Sequence, residues 1–379
     1  MTTGIEVRPV TTGRDRRRFV DLEWRCKRDL PHWVPPLRLE RRELIDPRKN
    51  PFFEHGEAQL FLAWRGGEPI GRISAQIDRL HLERHGDATG FFGFFDAPND
   101  PEVAAALWEA ARGWLRERGM ERARGPFQLN INGESGLLVD GFDTPPSLMM
   151  PHNPPYYAAL LEGLGFEKAK DLYAWRYEPG ELSATTREIA DKTRAAPGLR
   201  LRSVDTRRLR EEVRTIMTIF NEAWENNWGF VPLTERELDK MAAEFRLIID
   251  PALALIAEIE GEPAAMALAL PNLNAVIGDL DGRLLPFGWA KLLWRLKVRK
   301  PDSARLVLLG IRPKFRRRRA LKGLSVLLYA EIHTRGTAAG YTGASELSWT
   351  LEDNRRINQG IALMGGKRYK TYRIYERAL

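Results

Sequence analysis

This sequence predicts two tandem α/β (α+β) domains, each a mixed central sheet flanked by helices. Three observations point there. The chain has 379 residues, more than one ordinary core needs and enough for two domains of roughly 150–200 residues. One order of strands and helices runs through the first half and then starts again. Short echoes fall at matching places in the two halves. Gly67-Glu68-Pro69 returns as Gly261-Glu262-Pro263, and Leu164-Gly165-Phe166-Glu167-Lys168 is echoed by Met364-Gly365-Gly366-Lys367.

The elements follow in order. Ile5–Val10 reads as a strand, and Arg16–Lys27 as a helix with Phe19, Leu22 and Cys26 on one face. His32–Pro36 ends that helix. Leu60–Trp64 and Ile70–Ile77 flank a tight turn, which makes a hairpin. Phe91–Phe95 is a strand. Pro101 suits the first turn of a helix that runs to Arg118 and stops at Gly119. Phe127–Leu138 is a strand region with a Gly-rich bend, Tyr156–Gly163 a helix and Gly165–Tyr177 a closing strand region. The series then repeats: strand Leu199–Val204, helix Leu209–Trp224, hairpin Leu253–Glu260 with Ala264–Leu270, strand Arg305–Ile311 and long helix Leu321–Ala339. Strand Ala344–Leu351, helix Asn354–Met364 and strand Tyr369–Glu376 complete it. The domains are accordingly 1–182 and 199–379, with 183–198 a polar linker carrying a helical turn or two.

Composition removes several classes of function. Apolar residues make up 43% and charged residues 29%, a globular balance rather than a disordered one. Cys26 is the single cysteine, so an internal disulfide is impossible, and no Cys/His cluster has metal-ligand spacing. A reducing cytoplasm is the natural compartment. Met1–Arg8 lacks the basic start and apolar core of a signal peptide, and no apolar run approaches the roughly 20 residues that span a bilayer. The net charge of +8 favours phosphate-bearing partners or marks a solvated Arg-rich surface. There is no P-loop, dinucleotide-binding glycine motif, Gly-x-Ser-x-Gly elbow or His-Glu-x-x-His motif.

The most informative segment is Arg305–Gly323. An apolar strand runs into Arg312-Pro313-Lys314-Phe315, then Arg316-Arg317-Arg318-Arg319-Ala320, then a helix. A loop feeding a helix N-terminus offers free N–H groups and the positive end of the macrodipole. Four arginines beside it make a pyrophosphate cradle, or else a solvated basic turn.

In this strand, Arg-rich loop and helix the chain resembles the GNAT superfamily of acyl-CoA N-acyltransferases. The resemblance implies acetyl-CoA or a longer acyl-CoA as donor. It places the acyl thioester along Leu309, Gly310 and Ile311, and the pyrophosphate at Arg316, Arg317, Arg318, Arg319, Ala320, Lys322 and Gly323. The family's loop glycine is missing from its usual place, where Arg318 or Arg319 stands; arginine there substitutes charge-assisted bonds. In the family an Asn opens the next helix; Asn354 fits, as an N-cap or as a pantetheine contact. The Tyr that acts as general acid about two turns on is absent, since the position near Ile361 is apolar. The attacking amine must be neutral, so a base is needed. Glu346, at the start of a strand beside the acyl site, is the leading candidate, with a salt-bridged carboxylate as the plain alternative. His333, mid-helix, is the second.

The first half differs. Its Asp96–Asp100 loop is acidic and would repel pyrophosphate, so this copy is not expected to bind CoA in the usual way. Asn130–Gly136, with Asn132, Glu134 and Ser135, is read as an acceptor contact or as Gly-rich turn chemistry. In the second half Asn221, Trp224, Asn227 and Trp228 form either the wall of an amphipathic acceptor site or ordinary core. Gly288–Lys300 places Trp289, Leu292, Leu293 and Leu296 on one face among five cations. That suits a helix lying on anionic lipid, or a core-facing helix with a basic exterior.

The chain also resembles a group of long, tandem GNAT-like bacterial proteins, some linked to sphingolipid synthesis as bacterial ceramide synthases. That likeness implies a long acyl chain and a lipid or amphipathic amine as acceptor, in the cytoplasm or at the inner face of the membrane. The competing function is a degenerate, non-catalytic GNAT module that binds acyl-CoA or lipid. Nucleic-acid binding through Arg316–Arg319 would demand strong salt dependence, and the aromatic–basic interleaving of single-strand binders is absent.

Overall fold

The structure, a computed structural model, describes residues 4–379. It divides into two compact units. The first comprises Met1–Leu172, Ile277–Trp289 and Lys370–Leu379; the second comprises Tyr173–Val276 and Ala290–Tyr369. In chain order the strands are β1 (Glu6–Pro9), β2 (Gly56–Arg65), β3 (Glu68–Asp78), β4 (Thr89–Asp96), β5 (Arg122–Gly125), β6 (Leu137–Asp140) and β7 (Glu167–Tyr177). They continue with β8 (Leu199–Ser203), β9 (Ala254–Ile259), β10 (Glu262–Pro271), β11 (Ala304–Ile311), β12 (Ser345–Leu351) and β13 (Lys367–Ala378). Each unit is a mixed sheet with helices against it, the fold class the sequence predicts.

The repeat is one of topology. In the first unit β1 to β4 are antiparallel neighbours in order, and β5 joins β4 in parallel. In the second, β8 to β11 are antiparallel neighbours in order, and β12 joins β11 in parallel. The sequence echoes mark shared backbone devices. Arg65 pairs with Glu68 across Gly66 and Gly67, at φ 59° and 82°. Ile259 pairs with Glu262 across Glu260 and Gly261, at φ 55° and 83°. Two consecutive positive φ values define the hairpin turn whose twist matches its strands, so glycine recurs there. At the other echo the Gly165 N–H bonds Glu162 O and the Phe166 N–H bonds Leu161 O; the N–H groups of Gly365 and Gly366 bond Ala362 O and Ile361 O in the same way. Both helices end in the same left-handed glycine cap.

Packing follows the pattern of the residues. Asp100 caps helix Pro101–Arg116 by accepting from Glu102 N at 3.0 Å, and Val103, Leu107, Trp108, Ala111 and Leu115 turn inward at helical spacing. Ala264 to Leu270 of β10 are all buried, the continuous apolar run of a strand covered on both faces. Helix Leu324–Ala338 packs its Leu324, Leu327 and Leu328 into that core.

Some segments differ from the sequence reading. The stretch 183–198 holds helix Ala184–Arg194, whose Ile189 and Thr193 press on Gly323. The region 127–138 is mostly irregular, with one bridge between Phe127 and Ser135 before β6. Helix Glu235–Ile248 went unread, although Thr234 and Glu237 form a capping box at its start. Gly288–Trp294 is a short helix followed by a π turn, Arg295–Arg299. None of its residues is fully buried: Leu292 and Leu296 are half-buried and Trp289 and Leu293 exposed, so it is not a core helix. Among the described residues no helix is long and apolar enough to cross a membrane.

Candidate functional site

The site begins where two parallel strands part. β12 pairs with β11 only at Arg305–Glu346 and Leu306–Leu347, whereas β11 stays on β10 as far as Ile311. Beyond Leu306 and Leu347 the strands diverge, and a cleft opens between them. Leu309, Trp224, Asn227 and Asn354, four of the residues singled out from sequence, line it together with Ser348 and Tyr329. Asn221 and Trp228 lie outside that wall; the Asn221 Oδ1 is buried without a hydrogen-bond partner. Gly310 is set by packing: a Cβ there would sit 2.3 Å from the Trp224 ring.

The basic loop sorts into two groups. Arg312 reaches Glu222 at 2.6 and 2.8 Å and Glu262 at 2.7 Å, and the bond to Glu222 raises its pKa. Lys314 also pairs with Glu262. Arg316 donates to Ile311 O at 2.8 Å and Ala223 O at 2.7 Å. It ties the end of β11 to the C-terminal turn of helix Leu209–Trp224, and burial together with the nearby Arg356 lowers its pKa. Arg318 lies 3.6 Å from Glu260. By contrast, Arg317, Arg319 and Lys322 are exposed, and among the described residues no side chain or carbonyl holds them. Ala320 is exposed beside them. Helix Leu324–Ala338 has no side-chain cap at Gly323. Three unengaged cations at an uncapped helix start fit a pyrophosphate. Gly323 makes room for Thr193 Oγ1, which a Cβ would meet at 2.3 Å.

Behind the cleft lies a buried polar network. Glu346 is 2% exposed and 3.5 Å from Arg305 Nε. Ser348 Oγ donates to Glu346 Oε1, and Tyr369 donates to Oε2. Arg305 Nε donates to Ser348 Oγ at 2.7 Å. Glu346 and Ser348 lie on one face of a strand, and Ser348, which lines the cleft, joins it to the carboxylate. Asn354 is the N-cap of helix Arg355–Leu363, accepting from Ile357 N at 3.4 Å. His333 Nδ1 pairs with Tyr177 OH at 2.8 Å, and burial lowers its pKa.

Sequence reasoning missed Ser348, Arg305 and Tyr329. Burial raises the pKa of the Tyr329 hydroxyl, so it keeps its proton at neutral pH. The polar i, i+2 spacing of Glu346 and Ser348 was the available signal for the first. For Tyr329 there was none, since the apolar residues around it in Leu324–Ala330 set no one position apart.

The first unit has its own wedge. β5 pairs with β4 from Thr89 to Phe91, and the space beyond holds a buried charge network rather than a cationic loop. Asp96 pairs with Arg72 at 2.6 Å and Lys27 at 3.2 Å. Glu134 pairs with Arg41 at 2.6 Å, and Ser135 Oγ bonds Ile131 O at 3.0 Å.

No established family profile matches the chain. It is 44% identical over 380 residues to a bacterial ceramide synthase of Caulobacter vibrioides, covering 99% of this chain and 98% of that one. To protein YghO of Escherichia coli it is 42% identical over 375 residues, covering 98% and 95%. Among solved structures, a tandem GNAT protein from the clavulanic acid biosynthesis pathway superposes with a TM-score of 0.58 at 14% identity, covering 99% of this chain and 98% of the other. A GCN5-related N-acetyltransferase from Sphaerobacter thermophilus gives 0.53 at 13%, covering 99% and 95%. At such identities the two structures speak to fold alone.

Proposed function

The chain belongs to the tandem GNAT family that includes bacterial ceramide synthase and YghO, and from that membership we propose that it is an acyl-CoA-dependent N-acyltransferase. The donor carries a long acyl chain, and the acceptor is an amphipathic amine of the sphingoid-base kind. The observation that carries this reading is the wedge between β11 and β12, with Arg317, Arg319, Lys322 and an open helix start at the adjoining loop. The loop holds the pyrophosphate, and the wedge takes the pantetheine arm and thioester.

The amine nitrogen attacks the thioester carbon, the C–N bond forms and the C–S bond breaks. Ser348, already donating to Glu346, accepts the proton that nitrogen gives up and passes its own to the carboxylate. The sulfur departs as the CoA thiolate and takes up the proton held by the carboxyl group, which restores Glu346.

Titration calorimetry with palmitoyl-CoA tests the donor site. Arg319→Ala/Lys322→Ala is expected to weaken binding about tenfold or more and to flatten its salt dependence, because hydrogen bonds to charged groups are worth about 1.5–3 kcal/mol. Unchanged affinity would remove the loop from the site. Binding without amide formation from any long-chain amine would leave the non-catalytic reading in its place.

Contact with an anionic membrane belongs to the same reading. Trp294 and Val298 are 52% and 68% exposed, among the exposed Lys291, Lys297 and Arg299. Apolar anchors with cations suit an anionic interface. The protein is expected to co-sediment with phosphatidylglycerol vesicles. Trp294→Ser/Val298→Ser should stay in the supernatant; equal sedimentation of both would exclude this segment.

A further inference from the structure

We propose that the tail of the acyl donor lies in a second cavity of the same unit, reached from the cleft past Leu306, Leu347 and Tyr329. This rests on the acyltransferase reading above and names the seat that sets chain length. Those three residues line both spaces. Leu306 and Leu347 are the last pair joining β11 to β12 before the strands part, so a chain entering from the wedge passes them directly.

The walls decide the class of occupant. Leu253, Ala269, Ala304, Ile332 and Met364 present carbon. Most polar groups of the wall are already engaged. Tyr177 OH and His333 Nδ1 share a bond of 2.8 Å, and Tyr341 OH donates to Asp250 Oδ2 at 3.0 Å. Thr337 Oγ1 donates to His333 O at 2.8 Å. Ser345 Oγ donates to Gly343 O at 3.3 Å and accepts from Ala304 N at 3.0 Å. Nothing in this wall offers a polar ligand or an ordered water the two or more partners it needs. A saturated hydrocarbon chain asks for none. The exception is Tyr329, which lines both spaces. Small side chains at Ala269, Ala304 and Gly336 leave the space that larger ones would fill.

Each methylene buried strengthens binding by up to about fourfold, so affinity in the wild type should climb along the series acetyl-, octanoyl- and palmitoyl-CoA. Ala269→Phe and Thr337→Phe would fill the cavity; Thr337 is half-buried, which makes its variant the safer to fold. Calorimetry on the full chain, with a thermal melt to show that each variant is folded, should find palmitoyl-CoA weakened at least tenfold and acetyl-CoA unchanged. A palmitoyl-to-acetyl ratio unmoved in both folded variants would overturn the tail site and leave the acyltransferase reading intact. Equal wild-type affinity for all three donors would do the same. A wild type that binds none of them would overturn the acyltransferase reading itself.

Discussion

Glu346→Gln is expected to lower turnover by roughly 10²–10⁴-fold, the usual contribution of a positioned acid or base, while palmitoyl-CoA affinity stays within about twofold. The carboxylate touches none of the loop cations and does not itself line the cleft. Its link to the reaction is Ser348, which takes a bond from Arg305 Nε at 2.7 Å and gives one to Glu346. One lone pair of that hydroxyl is left for an incoming N–H. Glutamine preserves volume and an accepting oxygen but cannot receive the proton, so the relay stops. Steady-state rates at saturating donor, set beside binding measured separately, divide the two effects. Ser348→Ala should reproduce the loss. A Glu346→Gln enzyme of undiminished kcat would reduce this carboxylate to the counter-ion of Arg305.

The second large effect is on stability. Glu23 is 2% exposed and lies 3.1 Å from Arg72 and 3.5 Å from both Lys27 and Arg41. Burial alone would raise its pKa; the charges of Arg41, Lys27 and Arg72 outweigh that and bring it to about 2. Glu23→Ala leaves those cations short of one counter-charge in a dry interior. Breaking such a group costs about 3–5 kcal/mol, a fall in Tm of roughly 6–20 °C for a unit of this size. The pH dependence has a definite sign. A carboxyl held below its ordinary value of 4.5 stabilises the fold above that pH and loses the contribution as pH falls toward about 2. The gap between wild type and variant should therefore be full at pH 6 and shrink at pH 3. A gap of less than about 2 °C at pH 6, or one that widens on acidification, would mean the network is balanced without Glu23.

What could be read in the sequence was mostly local. Gly66-Gly67 and Glu260-Gly261 announce hairpins because their conformation is set by two residues, and Gly165 and Gly365 announce helix ends for the same reason. Thr234 and Glu237 announced a helix start as plainly and were passed over. The wedge was legible only as a resemblance, since the point where β12 leaves β11 is fixed by register and not by any residue type. The arginine run shows the limit most clearly. Arg316, Arg317, Arg318 and Arg319 are chemically identical, yet Arg316 is spent on the carbonyls of Ile311 and Ala223 while Arg317 and Arg319 are not. Only the turn at Pro313–Arg316 decides which guanidinium points where. Gly323, placed with the pyrophosphate residues by resemblance, has Thr193 as its neighbour, from a segment read as linker.

The pairing of Tyr375–Ala378 with Arg122–Gly125 bears on how the chain is made. β5 receives that neighbour only after everything from Tyr173 to Tyr369 has been synthesised. Until then the nascent first unit exposes one unpaired edge of β5, a template for mispairing. Closing that pair joins residues far apart in sequence, the kind of contact that slows folding. The second unit, by contrast, has all of β8 to β12 in hand before those last residues exist. During translation, therefore, the half of the protein that begins first is the half that finishes last.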